Sequence, residues 1–229
     1  PDLILLFICG VLLATGALIL ASVSSSFSLE HTGTSFYFLN HQLLFGFLPG
    51  LLLGTTAFFM PLSFIKKWSF VFLMASLVLL ALVFVPGIGE SRGGAHRWIS
   101  IGSFSLQPSE PLKLAFIVYM ASWFTSRALS AKKELFKQTL LPFAAVMVVI
   151  SIFLILQPDI GTLGVIATTG LLMYFLAGTP LWHTFALIGF GLSAFVFLVF
   201  TESYRFNRFR VFLDSSFDLL SKNTTMDYQ

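Results

Sequence analysis

The sequence predicts an all-α polytopic membrane protein, and three observations carry that reading. Hydrophobic residues make up 57% of the 229 residues and charged residues only 10%, whereas soluble domains carry about 25% charged residues. Mean hydropathy is +0.92. Apolar runs close to the roughly 20 residues that cross a bilayer as a helix recur seven times. An open sheet could not satisfy its backbone in lipid, so the runs are read as helices.

In chain order the expected spans lie near 3–23, 41–60, 68–86, 111–126, 138–157, 160–177 and 183–200. The first is too long for a signal-peptide core and is followed by further apolar runs, so it reads as a retained span. Pro49, Pro142 and the stretch Gly189 to Gly191 are places where a helix is expected to kink or thin. The chain starts at Pro1 without a Met and stops at Gln229 in a polar stretch, so both ends read as cut. Residues 1–200 are thus a helical bundle with an outer re-entrant segment at 87–110, and 201–229 are a polar tail.

The connections orient the bundle. Those after spans two and four, 61–67 and 127–137, carry six basic residues: Lys66, Lys67, Arg127, Lys132, Lys133 and Lys137. Those after spans one, three and five carry only Arg92 and Arg97. The positive-inside rule then places the N-terminus in the cytoplasm and residues 87–110 outside. The tail, with Arg205, Arg208, Arg210 and Lys222, falls on the outer side and votes the other way. Long segments follow the rule poorly.

Several function classes drop out. A formal charge of +3 without a basic block gives no footprint for nucleic acid. The single cysteine, Cys9, allows no internal disulfide. His31, His41, His96 and His183 are scattered without ligand spacing, so no histidine metal site is expected.

What remains is a pair of polar breaks 50 residues apart. They read Gln107-Pro108-Ser109-Glu110-Pro111-Leu112-Lys113 and Gln157-Pro158-Asp159-Ile160-Gly161-Thr162. Charge at mid-depth in a bilayer costs about 2.5–3.5 kcal/mol, so ionisable residues beside apolar spans usually have a task. Glu110 and Lys113 are three apart at a helix start and share a face, which suits an ion pair. Pro111 fits the first turn, where its missing N–H costs little. Asp159 opens the sixth span on the same outer side, so the three ionisable groups could meet in one cavity. A structural pair pinning the start of the helix is the competing reading. Before the first break, Gly93-Gly94-Ala95-His96-Arg97-Trp98-Ile99 combines flexible backbone with interfacial residue types. It reads as an interfacial loop anchored by Trp98. In the sharper reading, Arg97 turns its guanidinium fork toward an anionic headgroup.

These segments together resemble the SEDS family, the FtsW/RodA/SpoVE proteins of bacterial cell-wall synthesis. The resemblance rests on Gly94-Ala95-His96-Arg97-Trp98-Ile99, Gln107-Pro108-Ser109-Glu110-x-x-Lys113 and Gln157 to Thr162. Phe36-Tyr37-Phe38-Leu39-x-x-Gln42 is similar to the FtsW branch, and Tyr204-Arg205-Phe206-Asn207-Arg208 to the start of the family's large outer loop. His96, Pro111 and the stretch from Ser216 to Asp227 depart from the pattern.

The resemblance implies ten spans, of which this chain holds about seven and the start of the extracytoplasmic loop. It implies a glycosyltransferase that polymerises lipid II in the bacterial plasma (inner) membrane and releases undecaprenyl pyrophosphate. It also implies a class B penicillin-binding protein as partner and contact with membrane lipid. Carried over residue by residue, Glu110, Lys113 and Asp159 are assigned to catalysis. Arg97, Gln107, Gln157, Arg205 and Arg208 are assigned to substrate binding. The family's general base is an Asp beyond Gln229; Asp214 and Asp218 stand in the wrong context to replace it. The sequence shows no dedicated cation cage, although a divalent cation (magnesium or manganese) could share the charge. Polymerisation needs a base for the acceptor hydroxyl and positive charge at the departing pyrophosphate. Lys113, held by Glu110 and Asp159, is expected to supply that charge. A flippase for the same lipid-linked sugar and a scaffold for the penicillin-binding protein stay open as alternatives. A seven-helix receptor ranks last, because span seven has no Lys to hold retinal.

Overall fold

The structure is a computed structural model and describes residues 2–92, 95–102, 104–128, 139–201 and 210–211. The chain divides into two compact units, Pro1–Trp68 with Trp98–Leu106, and Ser69–Arg97 with Gln107–Gln229. Among the described residues four helical stretches, Leu3–Thr32, Tyr37–Phe59, Leu62–Leu82 and Leu181–Leu198, are long and apolar enough to cross a membrane.

In the first unit, α1 (Leu3–Thr32) opens on Asp2, whose carboxylate accepts from Ile4 N at 2.9 Å and Leu5 N at 3.2 Å. It closes at Gly33, where φ is 74° and the N–H returns to Leu29 O, an ending that favours glycine. The helix runs nine residues past the expected end at 23. The Ser/Thr-rich stretch stays helical because hydroxyls return to carbonyls one turn back, Ser24 to Leu20 O and Thr32 to Ser28 O. Ser28 is fully buried, donates to Thr34 O at 2.6 Å and accepts from Tyr37 N at 3.1 Å, which fixes the corner into α2 (Tyr37–Gln42). A π-helical turn, Leu43–Phe47, separates α2 from α3 (Leu48–Phe59). Pro49, at the start of α3, has no N–H to offer the preceding turn. The kink expected there therefore takes the form of the π turn.

Helix α4 (Leu62–Leu82) follows after Met60 and Pro61 alone, so Lys66 and Lys67 lie in its second turn, not in a loop. The unit boundary falls inside this helix. The 87–110 connection contains three short strands, β1 (Gly89–Arg92), β2 (Ala95–Ile101) and β3 (Phe104–Leu106), in the order β1-β2-β3. Strands β2 and β3 pair antiparallel, with Ile99 opposite Leu106 and Ile101 opposite Phe104. The sequence reading did not anticipate this sheet. Gly89 is required where it stands, because a Cβ there would fall 1.8 Å from Val83 O.

In the second unit, α5 (Ser109–Ala128), α6 (Leu141–Leu156), α7 (Ile160–Leu176) and α8 (Leu181–Thr201) complete the helical set. Helix α7 packs against α5, α6 and α8. Side chains at four-, seven- and eight-residue spacing, each on one helix face, fill the core: Leu73 and Leu80, Leu112, Phe116 and Met120, Ile150 and Leu154, Ile166 and Tyr174. Gly170 permits the close approach of α5 and α7, since a Cβ would lie 2.9 Å from the Phe116 ring. At 16 and 17 residues, α6 and α7 are shorter apolar helices than α4 and α8. The break between them carries the site.

Candidate functional site

Helix α6 ends at Leu156, and Gln157 caps it with its N–H on Phe153 O at 3.1 Å. Pro158 follows at φ 31°, and Asp159 N reaches back to Leu154 O at 2.8 Å. This is the Schellman way of closing a helix, with a proline in the place that favours glycine. The bend is held by contacts from elsewhere in the chain.

Two elements supply them. The Gln157 side chain is 1% exposed, and its Nε2 donates to Leu80 O at 2.9 Å, near the end of α4. From β2, Arg97 donates through Nε to Gln157 O at 3.1 Å and through Nη2 to Pro158 O. The guanidinium thus sits on the carbonyl end of α6, where cations are favoured.

Asp159 is 5% exposed and opens α7. One carboxylate oxygen accepts from Thr162 N at 3.3 Å, the N-cap bond. The other accepts from Ser109 Oγ at 3.4 Å. Arg97 Nη1 lies 3.9 Å from the carboxylate as its ion-pair partner. The first residue of α5 and the first turn of α7 therefore meet at Asp159.

The other break is arranged differently. Gln107 O accepts from Glu110 N at 3.0 Å and Pro108 O from Leu112 N at 3.3 Å, so the start of α5 satisfies itself locally. Ser109 is buried. Lys113 Nζ donates to Glu110 Oε1 at 2.9 Å, and the two side chains are 31% and 58% exposed. The expected ion pair is formed. Lys113 is held by Glu110 but not by Asp159, which pairs with Arg97 instead. The Gln107 side chain is half-buried, and Arg205 and Arg208 lie outside the described residues.

Chemically, the arrangement offers two partly exposed cations, Lys113 at 31% and Arg97 at 33%, beside a buried carboxylate that organises the helix start. Both carboxylates are matched to a cation, Glu110 to Lys113 and Asp159 to Arg97. Among the described residues no cluster of three or more His, Cys, Asp or Glu is placed to hold a metal ion. Sequence reasoning passed over Ser109 as a partner of Asp159. The signal was present, since Ser109 stands inside the first motif at a helix start, where a hydroxyl commonly bonds.

The model of the cell cycle protein family FtsW/RodA/SpoVE matches residues 3–227. A probable peptidoglycan glycosyltransferase FtsW of Aliivibrio salmonicida is 36% identical over 210 residues, which cover 92% of this chain and 51% of that protein. The stage V sporulation protein E of Bacillus subtilis is 35% identical over 218 residues, 93% of this chain and 58% of that protein. Among solved structures, a chain of a peptidoglycan synthase complex that coordinates polymerization and crosslinking superposes with a TM-score of 0.63 at 26% identity. That match covers 87% of this chain and 59% of the other. The rod shape determining protein RodA of Thermus thermophilus gives 0.56 at 27% identity, covering 76% and 57%. The chain spans about half the length of the curated relatives it matches.

Proposed function

Because this chain belongs to the FtsW/RodA/SpoVE family, we propose that the whole protein is a peptidoglycan polymerase of the bacterial inner membrane. Its reaction joins the disaccharide of lipid II to a glycan strand: an acceptor sugar hydroxyl attacks the donor anomeric carbon. The hydroxyl proton goes to a general base, and undecaprenyl pyrophosphate leaves. The relatives' names and the likeness to a peptidoglycan synthase complex support this reading, together with a penicillin-binding protein as partner. The N-terminus is placed in the cytoplasm, with both Gln-Pro breaks outside.

The single observation that assigns a role is the exposure of the Glu110–Lys113 pair, one residue from the Ser109–Asp159 contact. Lys113 has a free side toward solvent, and its ammonium can meet the charge that develops on the departing pyrophosphate. Glu110 keeps that ammonium in place. Asp159 fixes the start of α7 beside it. Gln107, at the mouth of α5, is assigned to the substrate headgroup, and Arg205 and Arg208 to its phosphates. The general base comes from a part of the protein beyond Gln229. A divalent ion, if the reaction uses one, would arrive with the substrate phosphates.

The test is lipid II polymerisation by the full-length protein with its penicillin-binding partner, comparing wild type with Lys113→Ala. Removing one preorganised charge donor should lower kcat by about 10²–10³-fold. Normal strand synthesis by the variant at normal expression would end the assignment of Lys113. Lipid II crossing vesicles without any polymer, from either protein, would replace the polymerase with a transporter.

A further inference from the structure

The guanidinium of Arg97 is engaged by protein acceptors, although the side chain is 33% exposed. Its Nε and Nη2 are committed to the carbonyls of Gln157 and Pro158, and its Nη1 faces the Asp159 carboxylate at 3.9 Å. A guanidinium has five N–H donors in a rigid planar fork, and this geometry matches adjacent acceptors in a way an ammonium cannot. The acceptors here are the carbonyls of Gln157, the C-cap of α6, and of Pro158 just beyond it.

The same three residues are gripped from the other side. Gln157 Nε2 donates to Leu80 O, so the bend is tied both to α4 and to β2. Asp159, next in the chain, receives Ser109 Oγ and caps α7. Moving the carbonyls of Gln157 and Pro158 would therefore move Asp159 and the first turn of α7 with them.

We infer that Arg97 is a positioning residue for the Asp159 end of the site, and not a cation that binds the substrate pyrophosphate. This deepens the polymerase reading and rests on it for the kinetic consequence. The structural consequence stands without it.

The two roles part company on Arg97→Lys. Lysine is a capable phosphate binder as a point charge, so a substrate-binding role predicts near-normal turnover. A role that needs the fork predicts loss. In the full-length protein with its partner, Arg97→Lys should lower kcat by about tenfold while KM for lipid II stays within about twofold, the pattern of a misplaced group. Arg97→Ala should lose more kcat, again with little change in KM. Hydrogen exchange on the same proteins in nanodiscs supplies a readout independent of activity. The Thr162 and Leu163 amides, both bonded to Asp159, should exchange about tenfold faster in Arg97→Lys, because local opening tracks local stability. They should not change in Lys113→Ala. A raised KM at unchanged kcat, or unchanged exchange at these amides, would overturn the inference. If the wild type makes no strands but exchange responds as stated, the polymerase reading fails and the positioning role of Arg97 stands.

Discussion

The two Gln-Pro breaks share a dipeptide and differ in almost everything the dipeptide is used for. At Gln107-Pro108 the chain starts a helix, where the missing N–H of proline costs little and the flanking carbonyls accept the first helical amides. The charges that follow, Glu110 and Lys113, remain open to solvent. At Gln157-Pro158 the chain leaves a helix, where orphan carbonyls need donors. The donors come from far along the chain: Arg97 is 60 residues from Gln157, and Leu80 is 77. The carboxylate that follows is buried. One break is closed by its neighbours and presents charge; the other is held from a distance and hides it. The same residue pair thus yields a presenting edge at a helix start and an anchored edge at a helix end.

Asp159 should give the largest effect. Replacement by Asn keeps an N-cap oxygen of nearly equal quality, but turns the oxygen that accepts from Ser109 into an amide donor and removes the charge that Arg97 faces. Asp159→Asn is expected to retain the thermal midpoint within a few degrees and to lose polymerisation by about a hundredfold or more. Asp159→Ala should lose activity and about 1–2 kcal/mol of stability through the missing cap. Polymerisation assays and melting curves on the full-length complex test both. An active Asp159→Asn would show that the anchored edge needs geometry alone.

The glutamines test the comparison directly. Gln157→Leu strips the buried Leu80 carbonyl of its donor and should cost about 1–3 kcal/mol. Gln107→Leu, at a half-buried side chain, should stay within about 0.5 kcal/mol. Equal losses at the two positions would break the distinction between the breaks. Ser109→Ala comes next: its 3.4 Å bond to Asp159 is long, so about 0.5–1.5 kcal/mol is expected.

How much of this was legible follows from where each partner lies in the chain. The apolar runs located the helices, because twenty residues of lipid-compatible sequence leave the backbone no alternative. The end of α1 was placed at 23 and lies at Thr32, since Ser/Thr composition resembles a connection until each hydroxyl finds a carbonyl one turn back. Lys66 and Lys67 suggested a loop, yet two charges near a helix start can snorkel outward. The strands of 89–106 were missed because three to seven residues in a Gly-rich segment carry no clear period. Glu110–Lys113 was readable, being three residues apart on one helix. For Arg97 the sequence shows a fork and a charge but not the carbonyls of Gln157 and Pro158 that the fork meets.

The smallest expected effect bears most closely on the presenting edge. Glu110→Gln removes one partner of an ion pair whose side chains are 58% and 31% exposed. Solvent screens such a pair, and the stability change should be under about 0.5 kcal/mol. If Glu110 served only to pin the start of α5, activity would follow stability and barely move. If it holds Lys113 toward a pyrophosphate, kcat should fall several-fold at an unchanged melting temperature, because an ammonium on a four-carbon stem wanders once its tether is gone. Melting and turnover measured on one preparation separate these. A fall in both together would make the Glu110–Lys113 pair a structural clasp, and the two breaks would then be more alike than their burial suggests.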